Sequence, residues 1–311
     1  MTNFKHSWNE YWQSGLATSC VTNGQDGYPP NIKKFWQDFF RILKNHNKIV
    51  DLCSGGGGIP QLILEYAKKN EMYLDISLTD LAIIQKKIKS TDKVTMNYYS
   101  ECNCEDLPFN ESTYDLVTSS FGIEYSHLDT TIKEISRVIK KGGYFAGVLH
   151  TYDSEIVKNS RSQMKQGHEI LNESPYFDLF KKIYQVKNKS SAFQRSADQK
   201  LLKCLDEIKT KLLHDENLSV YRLILKASHD IFVFGQNNKA STCVEYINKM
   251  QKALKHNHQR MQNLSEIVLS SEDIENTITT LKQQNFIINY DKKIVSNDNK
   301  VLGLGLICKK Q

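Results

Sequence analysis

From Ile49 onward, short apolar runs alternate with stretches of helical spacing, and this rhythm organises the first half of the chain. Lys48–Cys53, Met72–Thr79, Lys93–Tyr98, Asp115–Ser120 and Gly143–Leu149 read as strands. Between them, Ile59–Lys69, Leu81–Lys89 and Asp129–Lys140 read as helices, the last stopped by Gly142-Gly143. Strands alternating with helices predict a parallel α/β sheet. Ahead of the sheet, Phe35–Leu43 reads as an amphipathic helix. The segment before it is aromatic and turn-rich: Trp8, Tyr11 and Trp12 fall at helical spacing, and Gly24, Gly27, Pro29 and Pro30 then break the chain.

After His150 the strand signal fades. Leu201, Leu202, Leu205, Ile208 and Leu212 repeat as one helical face, as do Val244, Ile247 and Leu254. Tyr221–Phe234 reads as a helix, with a strand over Asp230–Phe234 as the alternative. Residues 154–265 are therefore expected to form a mostly helical insertion. The C-terminus returns to α/β, with a helix over Glu272–Gln284 and strands over Phe286–Val295 and Lys300–Lys309. The expected organisation is an N-terminal segment 1–34, a core of 35–153 with 266–311, and the insertion 154–265.

Composition narrows the class. The chain has 311 residues, 40% hydrophobic and 24% charged, which excludes wholesale disorder. No run approaches the roughly 18 to 20 apolar residues that a membrane span needs, and the N-terminus lacks the pattern of a signal peptide. Seven scattered cysteines do not make a disulfide framework and are expected to be reduced thiols in the cytoplasm. The net charge of +6 is unevenly spread. Residues 1–150 hold 16 basic and 17 acidic residues, whereas residues 154–265 hold 19 basic and 11 acidic. The two parts differ in electrostatics and are expected to differ in role.

The strongest local feature is Val50-Asp51-Leu52-Cys53-Ser54-Gly55-Gly56-Gly57-Gly58, an apolar strand running into four glycines and a helix. Such a loop lets a ligand approach the backbone closely. It is not a P-loop, because Ile59-Pro60-Gln61 follows instead of Gly-Lys-Ser/Thr, and its contiguous glycines do not fit G-x-G-x-x-G. Asp51 would repel a pyrophosphate but suits an ammonium group. Asp80, at the end of the second strand, is placed to accept from ribose hydroxyls, or alternatively to cap the helix expected after it. The ligand implied has a ribose and a cationic, amine-bearing tail, a description that S-adenosylmethionine (SAM) fits.

IVDLCSGGGG, SLTDL, CNCEDLPFNESTYDLVTSSFGIEYSHLD and TIKEISRVIKKGG follow in the order seen in class I SAM-dependent methyltransferases. The chain most resembles the broad branch that includes the quinone-biosynthesis methyltransferases, over about residues 35–150, with 266–311 matching the family's last two strands. The resemblance implies a Rossmann-like fold: a seven-stranded, mostly parallel sheet with its last strand antiparallel. It implies SAM as cofactor and S-adenosylhomocysteine as product. Carried over by position, Asp51, Ser54, Gly55 and Gly57 line the methionine and ribose region, and Asp80 takes the ribose hydroxyls. Leu81 lies against the adenine, the Asn103 carbonyl accepts from the adenine amino group, and the Cys104 N–H donates to a ring nitrogen. Ser119, Ser120 and Phe121 complete the tail pocket. Two positions depart from the family pattern: Cys53 stands at the usual first glycine and Asn103 at a usual Asp.

The acceptor side is less specific. Glu124, Tyr125, His127, His150 and Tyr152 lie on the strand-end loops where a general base for methyl transfer would sit, and Tyr125, His127 and His150 are the named candidates. Trp8, Tyr11 and Trp12 are read as a lid whose ring faces suit a sulfonium or amine, and the helical insertion as a substrate cap. Cys102 and Cys104 are poor zinc candidates and no metal is expected. A small-molecule acceptor is the first reading. An RNA methyltransferase using the basic insertion, or a catalytically silent SAM-binding protein, stays open, though no RNA-binding signature is present.

Overall fold

The computed structural model describes residues 8, 9, 11, 12, 18, 19, 27–186, 191–215 and 218–311. The expected turn at Gly24 and the cysteine at 20 lie outside them. The chain divides into two compact units, Met1–Lys158 with Glu266–Gln311, and Asn159–Ser265.

The first unit is built on one seven-stranded sheet. Its strands are β1 (Asn47–Leu52), β2 (Leu74–Asp80), β3 (Val94–Ser100), β4 (Tyr114–Ser120), β5 (Ile139–Leu149), β6 (Phe286–Val295) and β7 (Val301–Lys310). They lie in the order β3-β2-β1-β4-β5-β7-β6. β1 pairs in parallel with β2 and β4, and β7 runs antiparallel to both β5 and β6. Helices α1 (Pro30–Phe39), α2 (Gly58–Lys69), α3 (Leu128–Val138) and α9 (Ser271–Gln283) cover the sheet. Between α3 and α9 the chain runs through α4 (Glu155–His168), α5 (Tyr176–Val186), α6 (Ser191–His214), α7 (Ser219–Asn237) and α8 (Ala240–Ile267). The first unit has the Rossmann-like architecture expected from the resemblance, a seven-stranded, mostly parallel sheet with its last strand antiparallel.

The central strands are apolar at consecutive positions because both faces are covered. Ile49, Leu116, Ala146 and Val148 join one core with Ile32, Trp36, Phe40 and Ile63. Val50, Leu52, Val117, Phe145 and Leu149 join the other with Ile132, Ile135 and Leu281. Each fully buried aliphatic side chain contributes roughly 1.5–3 kcal/mol. α9 starts on a capping box, with the Ser270 hydroxyl accepting from Asp273 N–H at 3.1 Å and the Asp273 carboxylate accepting from Ser270 N–H at 2.9 Å.

Two sequence expectations are corrected. No helix forms over Leu81–Lys89. Side-chain acceptors take the backbone N–H groups there: Ala82 donates to Asp80 Oδ1, Ile83 to Asn9 Oδ1 and Ile84 to the Ser100 hydroxyl, at 2.7–3.0 Å. The apolar residues whose spacing imitated a helix point different ways, with Ile84 buried and Ile83 50% exposed. Nor does Gly142-Gly143 follow a helix reaching Lys140: α3 ends at Val138 and the pair lies inside β5, where the register against β4 jumps between Tyr114 and Leu116. A Cβ on Gly143 would meet the Asp115 carbonyl at 2.7 Å, so the bulge needs glycine there.

The second unit is helical, including Tyr221–Phe234 within α7, which removes the strand alternative. Its core collects Tyr176, Phe180, Leu201, Ile208, Ile224, Ile231 and Ile247.

Candidate functional site

The strand order reverses on either side of β1, and the crevice beyond the carboxyl ends of the strands at such a point is where open α/β sheets bind ligands. A pocket opens there. Its lining comes from the glycine loop after β1, the end of β2, the turn after β3 and the loop after β4.

The glycine loop is sharply bent. Cys53 (φ 54°), Gly55 (φ 53°) and Gly57 (φ 85°) all take left-handed backbone, and the Gly57 N–H closes the turn onto the Ser54 carbonyl at 2.8 Å. A Cβ on Gly55 would meet the Trp12 indole at 2.2 Å. The missing side chain is what allows a flat ring to lie against this backbone. At Gly57 the space is taken by Ile88.

Two carboxylates hold the loop. Asp51 is buried and accepts from the Thr118 hydroxyl at 2.7 Å and from the Ser54 hydroxyl at 2.5 Å. Burial pushes its pKa up to about 7, against the lowering effect of those two hydroxyls. Asp80 accepts from Gly55 N–H at 2.7 Å and Ala82 N–H at 2.8 Å. Burial raises it to about 6. Thus Asp80 fixes the glycine loop through the backbone of Gly55, and it caps no helix.

Of the residues expected to bind the cofactor, Asp51, Ser54, Asp80, Leu81, Asn103, Cys104, Ser120 and Phe121 line this pocket, together with Trp8, Trp12 and Tyr125. Gly55 and Gly57 shape the loop from behind. The Ser120 hydroxyl is buried without a hydrogen-bond partner among the described residues, whereas Ser119 is turned away and donates to the Leu52 carbonyl. The Asn103 side-chain carbonyl accepts from Glu105 N–H at 3.1 Å. Trp8 stacks on Trp12 with centroids 5.5 Å apart and meets Tyr125 edge-on at 5.5 Å. Tyr11 packs edge-on against both tryptophans, and its hydroxyl donates to the Thr18 carbonyl.

The other acceptor-side candidates lie outside the lining. His127 precedes α3, with its N–H donating to Glu105 and its ring beside Thr130. His150 is buried and stacked on Phe121 at 4.4 Å, and burial lowers its pKa to about 3, which leaves it neutral and a weak base. Glu124 accepts from His150 N–H at 2.8 Å, and burial raises it to about 7. Tyr152 is 61% exposed. No described group of His, Cys, Asp or Glu side chains could hold a metal ion.

Among the contributors that sequence reasoning missed are Tyr28, Glu105 and Ser126 in the lining, and Thr118 on Asp51. Thr118 carried a readable signal, a hydroxyl that directly follows the apolar pair Leu116-Val117 in the strand beside the one bearing Asp51. The others depend on long-range packing. The residues present fit SAM. Two carboxylates and aromatic faces suit a cationic ligand, the unpartnered Ser120 hydroxyl has hydrogen bonding to offer, and the side-chain-free backbone at Gly55 accepts a flat group.

Comparison with known proteins agrees. Residues 30–172 match the ubiE/COQ5 methyltransferase family. The chain is 31% identical over 118 residues to the ubiquinone/menaquinone biosynthesis C-methyltransferase UbiE of Xylella fastidiosa, covering 36% of this chain and 47% of that one. It is 33% identical over 103 residues to UbiE of Bartonella henselae, covering 32% and 40%. The chain thus spans about half the length of the curated relatives it matches. Among solved structures, a putative sarcosine dimethylglycine methyltransferase from Galdieria sulphuraria aligns over 98% of both chains at 14% identity, with a TM-score of 0.41. Over residues 30–172 the sheet unit thus resembles the SAM-dependent methyltransferases of the quinone-biosynthesis branch.

Proposed function

We propose that the chain transfers a methyl group from SAM to a small-molecule acceptor bound beside Tyr125 at the carboxyl edge of the sheet. The observation that carries this reading is the character of the pocket. Its described lining holds Asp51, Asp80, Glu105 and the faces of Trp8, Trp12, Tyr28, Phe121 and Tyr125, and no Lys, Arg or His. That lining suits a cationic cofactor and an uncharged or cationic acceptor. It offers nothing to the phosphates of RNA, whose recognition rests on basic side chains.

SAM, when bound, supplies a methyl group on a positively charged sulfur. In this reading Asp80 accepts from the ribose hydroxyls while keeping Gly55 in place, and Asp51 faces the tail ammonium. Ser120 and Phe121 lie along the tail, and Leu81, Asn103 and Cys104 frame the adenine. Trp8 and Trp12 cover the sulfur, exclude water and present ring faces to positive charge. The acceptor is positioned by Tyr125, and positioning supplies most of the acceleration. The helical unit serves as the substrate cap. In support, the chain leaves for it just after β5, whose carboxyl end lies on the pocket's edge of the sheet.

Transfer of labelled methyl from SAM into fractionated small molecules, run beside RNA, tests the acceptor. Label in the small-molecule fraction, lost with Asp80→Ala, is the expected result, and label in RNA alone overturns the acceptor class. Calorimetry showing no binding of either SAM or S-adenosylhomocysteine overturns the whole reading.

A further inference from the structure

Three of the pocket's lining residues are cysteines: Cys53, Cys102 and Cys104. Cys53 comes from the glycine loop and Cys104 from the turn after β3, yet their sulfurs are 4.0 Å apart. Both are free thiols. Bond formation needs the sulfurs to close to roughly 2.05 Å, a movement of about 2 Å that side-chain rotation and a small loop shift supply. The two thiols are unequal. The Cys53 S–H donates to Cys104, which holds Cys104 below the ordinary thiol range and Cys53 well above it. Cys104 is therefore the more readily ionised sulfur and Cys53 the resolving thiol. Cys102 is pushed up to about 11 by burial and has no sulfur partner among its described hydrogen bonds.

We propose that Cys53 and Cys104 are an oxidisable pair within the cofactor pocket, which hydrogen peroxide converts to a reversible disulfide that weakens cofactor binding. Cys104 sulfur attacks a peroxide oxygen, the O–O bond breaks, and Cys104 becomes a sulfenic acid as one water leaves. Cys53 sulfur then attacks Cys104 sulfur, the S–O bond breaks, the S–S bond forms, and the hydroxyl departs as a second water with the Cys53 proton. Two thiols have lost two electrons and the peroxide has gained them. The new bond draws Cys53 toward the turn that carries Asn103, Cys104 and Glu105. Cys53 directly precedes Ser54, which hydrogen-bonds Asp51. The effect on binding rests on the function proposed above; the bond itself does not.

The experiment treats the full chain with hydrogen peroxide, maps its non-reduced digest by mass spectrometry, and measures S-adenosylhomocysteine binding by calorimetry. A linked peptide lighter by two hydrogens is expected in wild type and in Cys102→Ser. It is expected to be absent from Cys104→Ser and from Cys53→Ser and to be cleaved by dithiothreitol. Affinity falls about tenfold on oxidation and returns on reduction, and saturating ligand slows the linkage. No link in wild type, or a link that survives in Cys104→Ser, overturns the proposal. Unchanged affinity of the linked protein overturns its regulatory half. A reduced protein that forms the link but binds no S-adenosylhomocysteine overturns the cofactor reading instead, leaving the bond established.

Discussion

Acidic side chains are drawn into both units, half-buried in the helical unit and more deeply placed at the pocket, and they are compensated differently. In the helical unit, burial pushes Glu169 up, but Lys211 and the Tyr221 hydroxyl outweigh it and bring the carboxylate below its usual range. At the pocket end of the sheet unit, Asp51, Asp80 and Glu124 are held only by hydroxyls and backbone N–H groups, and all three are raised. A half-buried acid paired with a lysine is structural, because the fold itself balances its charge. A buried acid left without a cation retains charge to offer a ligand, and such groups mark functional sites. Two buried tyrosine hydroxyls of the helical unit are likewise bonded within it: the Tyr176 hydroxyl lies 2.9 Å from Ser228, and the Tyr184 hydroxyl donates to the Ile231 carbonyl.

Four measurements sharpen or break that contrast. Asp80→Ala frees the N–H groups of Gly55 and Ala82 and removes the ribose acceptor, so SAM affinity should fall about a hundredfold, roughly 2.8 kcal/mol. Calorimetry reads it, and a loss under threefold would break the assignment. Gly235→Val works at the other pole. A Cβ there meets the Tyr184 hydroxyl at 2.1 Å, so overpacking should cost about 2 kcal/mol in thermal or denaturant unfolding. If the helical unit is structurally self-contained in its polar bonding, cofactor affinity should hold.

The third measurement is pH dependence. Between their ordinary values and about 7 and 6, Asp51 and Asp80 hold more protons folded than unfolded, so their effect on stability declines as pH rises through that window. A cationic ligand favours the ionised acids, so SAM affinity should rise about tenfold from about pH 5.5 to about 8. Asp51→Asn should flatten most of that rise, and an affinity independent of pH in wild type would contradict it. The smallest effect belongs to Tyr176→Phe, which removes one buried hydroxyl pair and should cost about 1 kcal/mol in unfolding free energy.

Much of this was legible in the chain. Strand runs such as Ile49–Val50 and Leu116–Val117 put apolar side chains on both faces, so their burial in a covered sheet follows from pattern. The glycine loop and Asp80 were legible because backbone approach and a strand-end acid are local requirements. The helix misread over Leu81–Lys89 shows where pattern fails, because Asn9 and Ser100, distant in sequence, supply the hydrogen bonds that a helix would have made itself. Distance in sequence also hid the Cys53–Cys104 contact and the lock between Glu124 and the His150 backbone. His127 and His150 look alike as strand-end histidines. Only burial separates a neutral ring under Phe121 from one at a helix start.

Thr151 and Leu269 pair as a parallel bridge, flanked by Leu269 N–H on the His150 carbonyl and Tyr152 N–H on the Leu269 carbonyl. The backbone that departs after β5 and the backbone that returns before α9 are thus one strand spacing apart, about 4.8 Å. The second unit, Asn159–Ser265, is thus inserted beyond a point where the outgoing and returning backbone lie side by side. A transplant of that segment would join chain ends that the sheet unit already brings together. The architecture is thereby suited to exchanging whole appendages by recombination.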